Sequence, residues 1–331
     1  MIQNLIAWVI RAIPFGTIIM YGSMGETVTE KSGHLNLGVP GIMYLGGFAG
    51  FTSAYFYEHN AANPSALVCV LLSLVCAFLA AMLGGLIYAF LTITLRANQN
   101  VTGLALTTFG MGVANFGGVF LLNGASYTAA PLAFSAYSTK IIPGWDKTGV
   151  FGEMFLSYGF LVYAAILLAV AMHFFLNKTR VGLNLRAVGE SPATADAAGI
   201  HVTKYKYLAT CIGAGISGIG GLYYVLDYNR GIWATTGQIE ALGWLAVALV
   251  IFTTWRPLNG IWGAYLFGML YWLYQYLPNL LGITISNYAI DLVQMIPYVV
   301  TIVVLIVVSL RKKRENQPPA SLGIAYYRED R

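Results

Sequence analysis

Few side chains in this sequence are suited to chemistry, and most of those lie inside apolar runs. Asn98, Gln99, Asn100, Thr102, Thr107, Thr108, Asn115, Ser217, Gln275 and Gln294 interrupt such runs. An amide or hydroxyl can hydrogen-bond a neutral polar solute without the desolvation cost of a charge. The same groups also tie helices together, and for any single residue that packing role is the commoner one. Arg11, His173, Glu240 and Asp291 fall toward the ends of apolar runs. No carboxylate pair or His–Asp relay stands at mid-run, as a proton-coupled carrier requires. No HExxH, Ser/His or Asp-rich set marks a membrane enzyme, and no Walker lysine loop marks an ATPase. Gly213-Ala214-Gly215-Ile216-Ser217-Gly218 has GxGxxG spacing. It lacks the preceding strand of a dinucleotide site, so close helix packing is the better account. Cys69, Cys76 and Cys211 also sit in apolar runs and read as small buried hydrophobes.

The elements that must position these groups follow from composition. Of 331 residues, 58% are hydrophobic and only 9% are charged, against about 25% in soluble domains. Mean hydropathy is +0.68. This excludes a soluble enzyme, a disordered chain and a disulfide-stapled domain, and leaves an all-α polytopic membrane protein. At about 20 residues per span the chain holds roughly 8 to 10 spans. Apolar runs fall near 3–23, 38–57, 66–95, 101–122, 155–176, 206–226, 239–255, 259–277 and 289–310, which makes nine. The Gly-rich run at 38–57 reads as a broken helix, and Gly84-Gly85 interrupts the run at 66–95. Residues 1–310 form the expected transmembrane domain and 311–331 a short polar tail, free or lying on a partner. The N-terminus lacks a basic region before its apolar run and reads as a retained first helix.

Lys and Arg set the orientation. Lys31, Arg96, the cluster from Lys178 to Lys206, Arg256 and the tail from Arg311 all fall on one side when nine spans are counted between them. That side is the cytoplasm, with the C-terminus inside and the N-terminus outside. Lys140, Lys147 and Arg230 remain outside, and Arg11 lies within the first helix. The net charge of +5 therefore reports topology. Arg311-Lys312-Lys313-Arg314 is a stop-transfer flank beside anionic lipid, and no nucleic-acid partner is expected.

The one long hydrophilic segment between cytoplasmic ends covers 177–206. Ser191 followed by Pro192 is a helix start, Ala193 to Ala198 is a short helix former, and Gly199 is a stop. So short and Ala-rich a helix is stable mainly when something packs on it. That requirement points to a partner with a groove.

Here the residues resemble a known family. Gly182-Leu183, Leu185-Arg186-Ala187-Val188-Gly189-Glu190, Pro192, Thr194-Ala195 and Ala197-Ala198-Gly199-Ile200 resemble the coupling loop of ABC-importer permeases. The branch is the one serving branched-chain amino acids, simple sugars and nucleosides. Gly25-Glu26, Ser32 to Gly38, Gly41-Ile42-Met43, Arg96 to Gln99, Gly103 to Leu106, Trp255-Arg256-Pro257, Pro297-Tyr298 and Thr301 resemble further blocks in order, over about residues 5–310. The Asn36-Leu37-Gly38 block is most similar to the nucleoside branch, although Pro40 stands where that branch often carries Glu. The resemblance implies a type II importer-like permease subunit, itself non-catalytic, in the cell membrane. It implies an ATP-binding subunit that carries ATP and Mg, a second and related permease chain, and an extracytoplasmic solute-binding (lipo)protein. It implies coupling through Arg186, Gly189, Glu190, Pro192, Asp196 and Gly199. It implies a solute path touching Asn36, Gln99, Asn115 and Gln275, with Phe48, Phe109 and Trp244 as stacking faces. The expected solute is a nucleoside. A sugar, a branched-chain amino acid, or an ion-coupled carrier are the alternatives.

Overall fold

A computed structural model describes residues 2–121, 128–142, 144, 148–233, 237–281, 292–293, 295–311 and 317–327. Lys147, Asp291, Gln294, Lys312, Lys313, Arg314, Arg328 and Arg331 lie outside the described residues. The chain is helical almost throughout. In order come α1 (Ile2–Lys31), α2 (Val39–Asn60), α3 (Ala66–Ala89) and α4 (Gln99–Leu121). Two short helices, α5 (Pro131–Ser138) and α6 (Gly149–Phe155), precede α7 (Phe160–Lys178). Then follow α8 (Arg180–Glu190), α9 (Pro192–Ala197), α10 (Val202–Tyr223), α11 (Gln238–Phe252), α12 (Pro257–Leu281) and a last helix, Ile296–Arg311. Single π-turns extend α3 through Phe90–Thr94 and α10 through Tyr224–Tyr228. Thr128–Ala129 pairs antiparallel with Ile232–Trp233.

Among the described residues each apolar run of the sequence overlaps a helix. Among the described residues, five helices are long and apolar enough to cross a membrane, and α11 is apolar but shorter. Two expectations need correction. The first helix does not stop near residue 23 but runs through Pro14 to Lys31. α2 is unbroken, because its glycines serve packing rather than a bend. The run at 66–95 reads as either one tilted helix or a span with an interfacial extension, and α3 is one helix that passes through Gly84-Gly85, where added Cβ atoms would meet Leu45 and Ala214 side chains.

The centre of the bundle is α1, α2, α3 and α10, and two of these touch backbone to backbone. A Cβ on Gly221 of α10 would stand 1.9 Å from the Met43 carbonyl oxygen of α2. A Cβ on Gly46 of α2 would stand 2.4 Å from Cα of Gly218. Small residues at a helix crossing permit this approach. The GxGxxG run is therefore a packing seam inside α10. Outward, α3 and α4 show rows of apolar side chains, including Leu71, Val75, Leu83, Phe116 and Phe120. Rows of that kind suit lipid or another apolar helix.

Lys31, Arg96, Arg186, Lys206 and Arg256 gather at one end of the bundle, called here the basic end. Arg11 lies about 30 Å away along α1. It donates to Gln275 at 3.2 Å and sits over the Trp272 ring at 4.7 Å.

Candidate functional site

The basic end is built from the elbow between α8 and α9. The Thr179 hydroxyl caps α8 by accepting from Gly182 N at 3.0 Å. α8 turns Leu185, Val188 and Gly189 inward and leaves Arg186 and Glu190 exposed. Ser191 then leaves the helical region, and its hydroxyl accepts from Thr194 N at 3.4 Å to start α9. Gly199 ends the elbow at φ +82°, a conformation that favours glycine. Val188, Ala195 and Val202 form a small apolar core beneath it, packed by Ile200, Tyr205 and Tyr326.

Tyr326 belongs to the tail, which is not free. Residues 317–327 fold back as a strap over the elbow. Ser321 donates from its hydroxyl and its backbone N to the Gly189 carbonyl, at 2.5 and 3.1 Å. Gly323 N donates to Gly33 O at 3.3 Å, and the Tyr326 hydroxyl donates to Asp196 at 2.9 Å. The short backbone groups and hydroxyls here satisfy one another, which is why a polar segment stays ordered without its own core.

The elbow rests on the hinge at 32–38, between α1 and α2. A Cβ on Gly189 would stand 2.3 Å from Lys31 O. The hinge is pinned from every side. Asn36 N donates to Glu26 at 2.9 Å, Leu35 N to the Gln99 side chain at 2.8 Å, and Gly38 N to the Asn36 side chain at 2.9 Å. The Tyr88 hydroxyl donates to Leu35 O at 2.5 Å and that of Thr107 to Leu37 O at 3.0 Å. Glu30 accepts from the Trp255 indole. Thr254 and Trp255 both hold φ +54°, which costs about 1–3 kcal/mol for each such residue. The bond to Glu30 helps hold that turn. Glu26 and Glu30 are each 1% exposed. They escape a sequence reading because two glutamates after an apolar run look like a loop. Their spacing of four, on one helix face, is the signal that could have found them.

The six expected coupling residues thus all belong to the elbow, in two settings. Arg186 and Glu190 face outward, with Arg186 also donating to Asn177 at 2.9 Å. Gly189 and Asp196 face the hinge and the strap. Arg186 further lines a cavity of about 520 Å³ with Lys31, His173, Trp255 and Arg256.

The four expected solute residues do not come together. Asn36 and Gln99 are buried in the hinge, where their side-chain oxygens hold backbone. Asn115 lies farther along α4, with its side-chain oxygen buried and unpartnered. Gln275 is exposed at the other end of the bundle, beside Arg11. Phe48 packs edge-on against Trp233 at 5.3 Å, Phe109 is half exposed on the outer face of α4, and Trp244 is half-buried. These three do not form one wall. A chamber at the far end, with several polar side chains in a mainly apolar lining, lies outside the sequence expectations. It has about 890 Å³ and is lined by Arg11, Glu153, Tyr158, Asp227, Arg230 and Trp272. Its signal is a carboxylate and tyrosines at the end of a span.

A bundle of apolar helices with a buried Gly seam and an ordered elbow at its basic end is the build of a multi-pass permease. The chain belongs to the branched-chain amino acid transport system permease component family, whose model matches residues 9–306, and is a permease subunit of the ABC transporter class. It is 34% identical over 256 residues to TsgC13 of Haloferax volcanii, named provisionally as a glucose ABC transporter permease protein, covering 77% of this chain and 72% of that one. It is 32% identical over 277 residues to the guanosine ABC transporter permease protein NupQ of Bacillus subtilis, covering 81% of each. It is 29% identical over 293 residues to the nucleoside ABC transporter permease protein NupC of Lactococcus lactis, covering 88% of each. No solved structure matches the chain.

Proposed function

We propose that this chain lines half of an import path for nucleosides, and that an ATP-binding subunit drives it through the elbow at 186–200. The other half is a related permease chain, and an extracytoplasmic binding protein delivers the solute. The basic end faces the cytoplasm, with nine spans and the N-terminus outside. NupQ and NupC support a nucleoside, since both align along more than four fifths of each chain. The identity to TsgC13 supports a sugar as the second reading. Guanosine and glucose share hydroxyl-rich rings, so both readings ask for the same kind of polar contact.

The carrying observation is the two-sided elbow. Its outer side offers Arg186 and Glu190 to a partner. Its inner side contacts α1, the hinge and the strap without a gap for a Cβ at Gly189. A push on α9 is thereby passed to α1 and α2 as a rigid displacement, the kind of motion that switches packed helices between two arrangements. ATP hydrolysis itself belongs to the partner.

The test reverses the outward charges with Arg186→Glu and Glu190→Lys in the full transporter. Co-purification of the ATP-binding subunit and uptake of labelled guanosine are measured, with glucose as competitor. Loss of the subunit from an otherwise folded permease is expected. Full retention and full uptake would refute coupling here, and a wild-type transporter that takes up labelled glucose but no labelled guanosine would move the solute to the second reading.

A further inference from the structure

A second polar chamber lies at the basic end, beside the elbow and separate from its outward face. Its volume is about 240 Å³, and His34, Arg96, Asp196, His201, Lys206 and Tyr326 are among its walls. Lys206 is 2% exposed, and its ammonium has no hydrogen-bond partner. His34 is also 2% exposed, with both ring nitrogens unpartnered. The Tyr326 ring stands 5.9 Å from Lys206 Nζ, at the outer limit of a cation–π contact. A buried ammonium without hydrogen bonds is costly to keep. Asp196, the acid on the wall, accepts the Tyr326 hydroxyl.

A second, independent feature points into the same space. α10 is 22 residues long and starts here, with Val202 and Thr203 on the chamber wall. His201, at its N-cap position, makes no side-chain cap bond. The first N–H groups of α10 thus lack a side-chain cap from His201, and the positive end of the helix dipole lies at the chamber wall. Arg96 stands at the mouth, exposed, at φ +56° and over the Tyr327 ring at 4.4 Å.

We propose that this chamber binds a small phosphate-type oxyanion. Lys206 supplies the charge, the start of α10 and the His34 ring supply directed N–H donors, and Arg96 closes the mouth. The volume falls below the roughly 300–1,000 Å³ of sites for larger ligands. It takes one phosphate with a few waters, each filling about 30 Å³. Inorganic phosphate and the phosphate of a lipid headgroup both meet that description, and a nucleotide does not. A bound anion would tie α10, the hinge and the strap together at their common junction. The site is independent of which solute the path carries.

The full transporter is tested in dodecyl maltoside, which contains no phosphate. One arm adds inorganic phosphate at constant ionic strength, and the other adds phosphatidylglycerol against phosphatidylcholine. The expected result is a rise in melting temperature in one or both arms. Phosphate alone acting identifies the free anion, and phosphatidylglycerol alone identifies the headgroup. Lys206→Met should weaken the effect about tenfold or more. This variant keeps the apolar stem and removes an unpaired buried charge, so it should fold and be at least as stable when empty. His34→Gln should weaken it by a smaller factor with Lys206 intact. A wild-type protein unmoved in both arms overturns the proposal, as does a Lys206→Met protein stabilised as strongly as wild type.

Discussion

Replacing Gly189 by alanine sets two effects of opposite sign against each other. Gly189 has helical backbone within α8, where alanine is favoured by about 0.8–1.0 kcal/mol. On an open helix the substitution would stabilise. Here the new Cβ would stand 2.3 Å from Lys31 O, 3.0 Å from its carbonyl carbon and 3.2 Å from Gly33 N. These are backbone atoms and cannot rotate away. Restoring an ordinary contact moves α8 back by roughly 1 Å. That shift pulls the Gly189 carbonyl from both Ser321 donors. Overpacking costs about 1–3 kcal/mol, and each weakened hydrogen bond about 0.5–1.5. Against the propensity gain the net is a loss of about 3 kcal/mol. Coupling changes of about 0.5–2 kcal/mol, roughly two- to thirty-fold, should appear in uptake. Melting temperature of the purified chain and ATP-driven uptake by the complex are the readouts. Gly199→Ala is the control, since nothing lies within 4 Å of its Cβ and only its φ of +82° is strained. It should lose about 1–2 kcal/mol without moving α8. A Gly189→Ala protein as stable as wild type would refute the packing of α8 on the end of α1.

Trp255→Phe removes the indole donor from Glu30, whose other oxygen is already unpartnered. The expected loss is about 1–3 kcal/mol, recovered in large part by pairing it with Glu30→Gln, as a double-mutant cycle in urea would show. Ser321→Ala keeps the backbone bond but loses the hydroxyl bond to Gly189. It should cost about 1 kcal/mol and speed protease cleavage within the strap. His34, outside the spans, is held from its ordinary 6.5 down to about 3, first by burial and then by the Lys206 ammonium. Its folded pKa lies below the unfolded one, so the unfolded chain binds the extra proton. Stability is then flat above about pH 6.5 and falls by up to about 1.4 kcal/mol per pH unit from there toward pH 3. His34→Gln should flatten that slope in pH-dependent melting, with Arg96, Asp196, His201 and Lys206 still facing the position.

Much of the fold was legible because lipid imposes a single requirement on every span. Runs of about twenty apolar residues map onto α3, α4, α7 and α10 with shifts of a few residues. The start of α9 was equally readable, because Ser191, Pro192 and Gly199 each have a local physical role that needs no tertiary knowledge. The reading failed where burial depends on distant partners. Glu26 and Glu30 are polar in sequence, yet Asn36 N and Trp255 make their burial possible, so α1 ran past its expected end. The strap failed for the same reason. Ser321, Gly323 and Tyr326 have no apolar period, and what orders them is the row of groups on Gly189, Gly33 and Asp196. Asn36 and Gln99 were recognised as special, but spacing alone does not distinguish an amide that meets a solute from one that holds a turn.

That distinction bears on how such an elbow can do mechanical work. The hinge at 32–38 bonds to α1 through Glu26, to α3 through Tyr88, to α4 through Gln99 and Thr107, and to the strap through Gly33. Few of these bonds can stretch by more than a few tenths of an ångström and survive. A local flex of the hinge would therefore break several at once. Movement of the whole basic end as one body breaks none of them. The compliance must then lie elsewhere. The π-turn that ends α10 at Tyr224–Tyr228, away from this pinned set and with wider hydrogen-bond rings, is suited to it. Under the proposed coupling, a basic end that moves stiffly, with give beyond it, would turn a small displacement at α9 into a change of helix tilt.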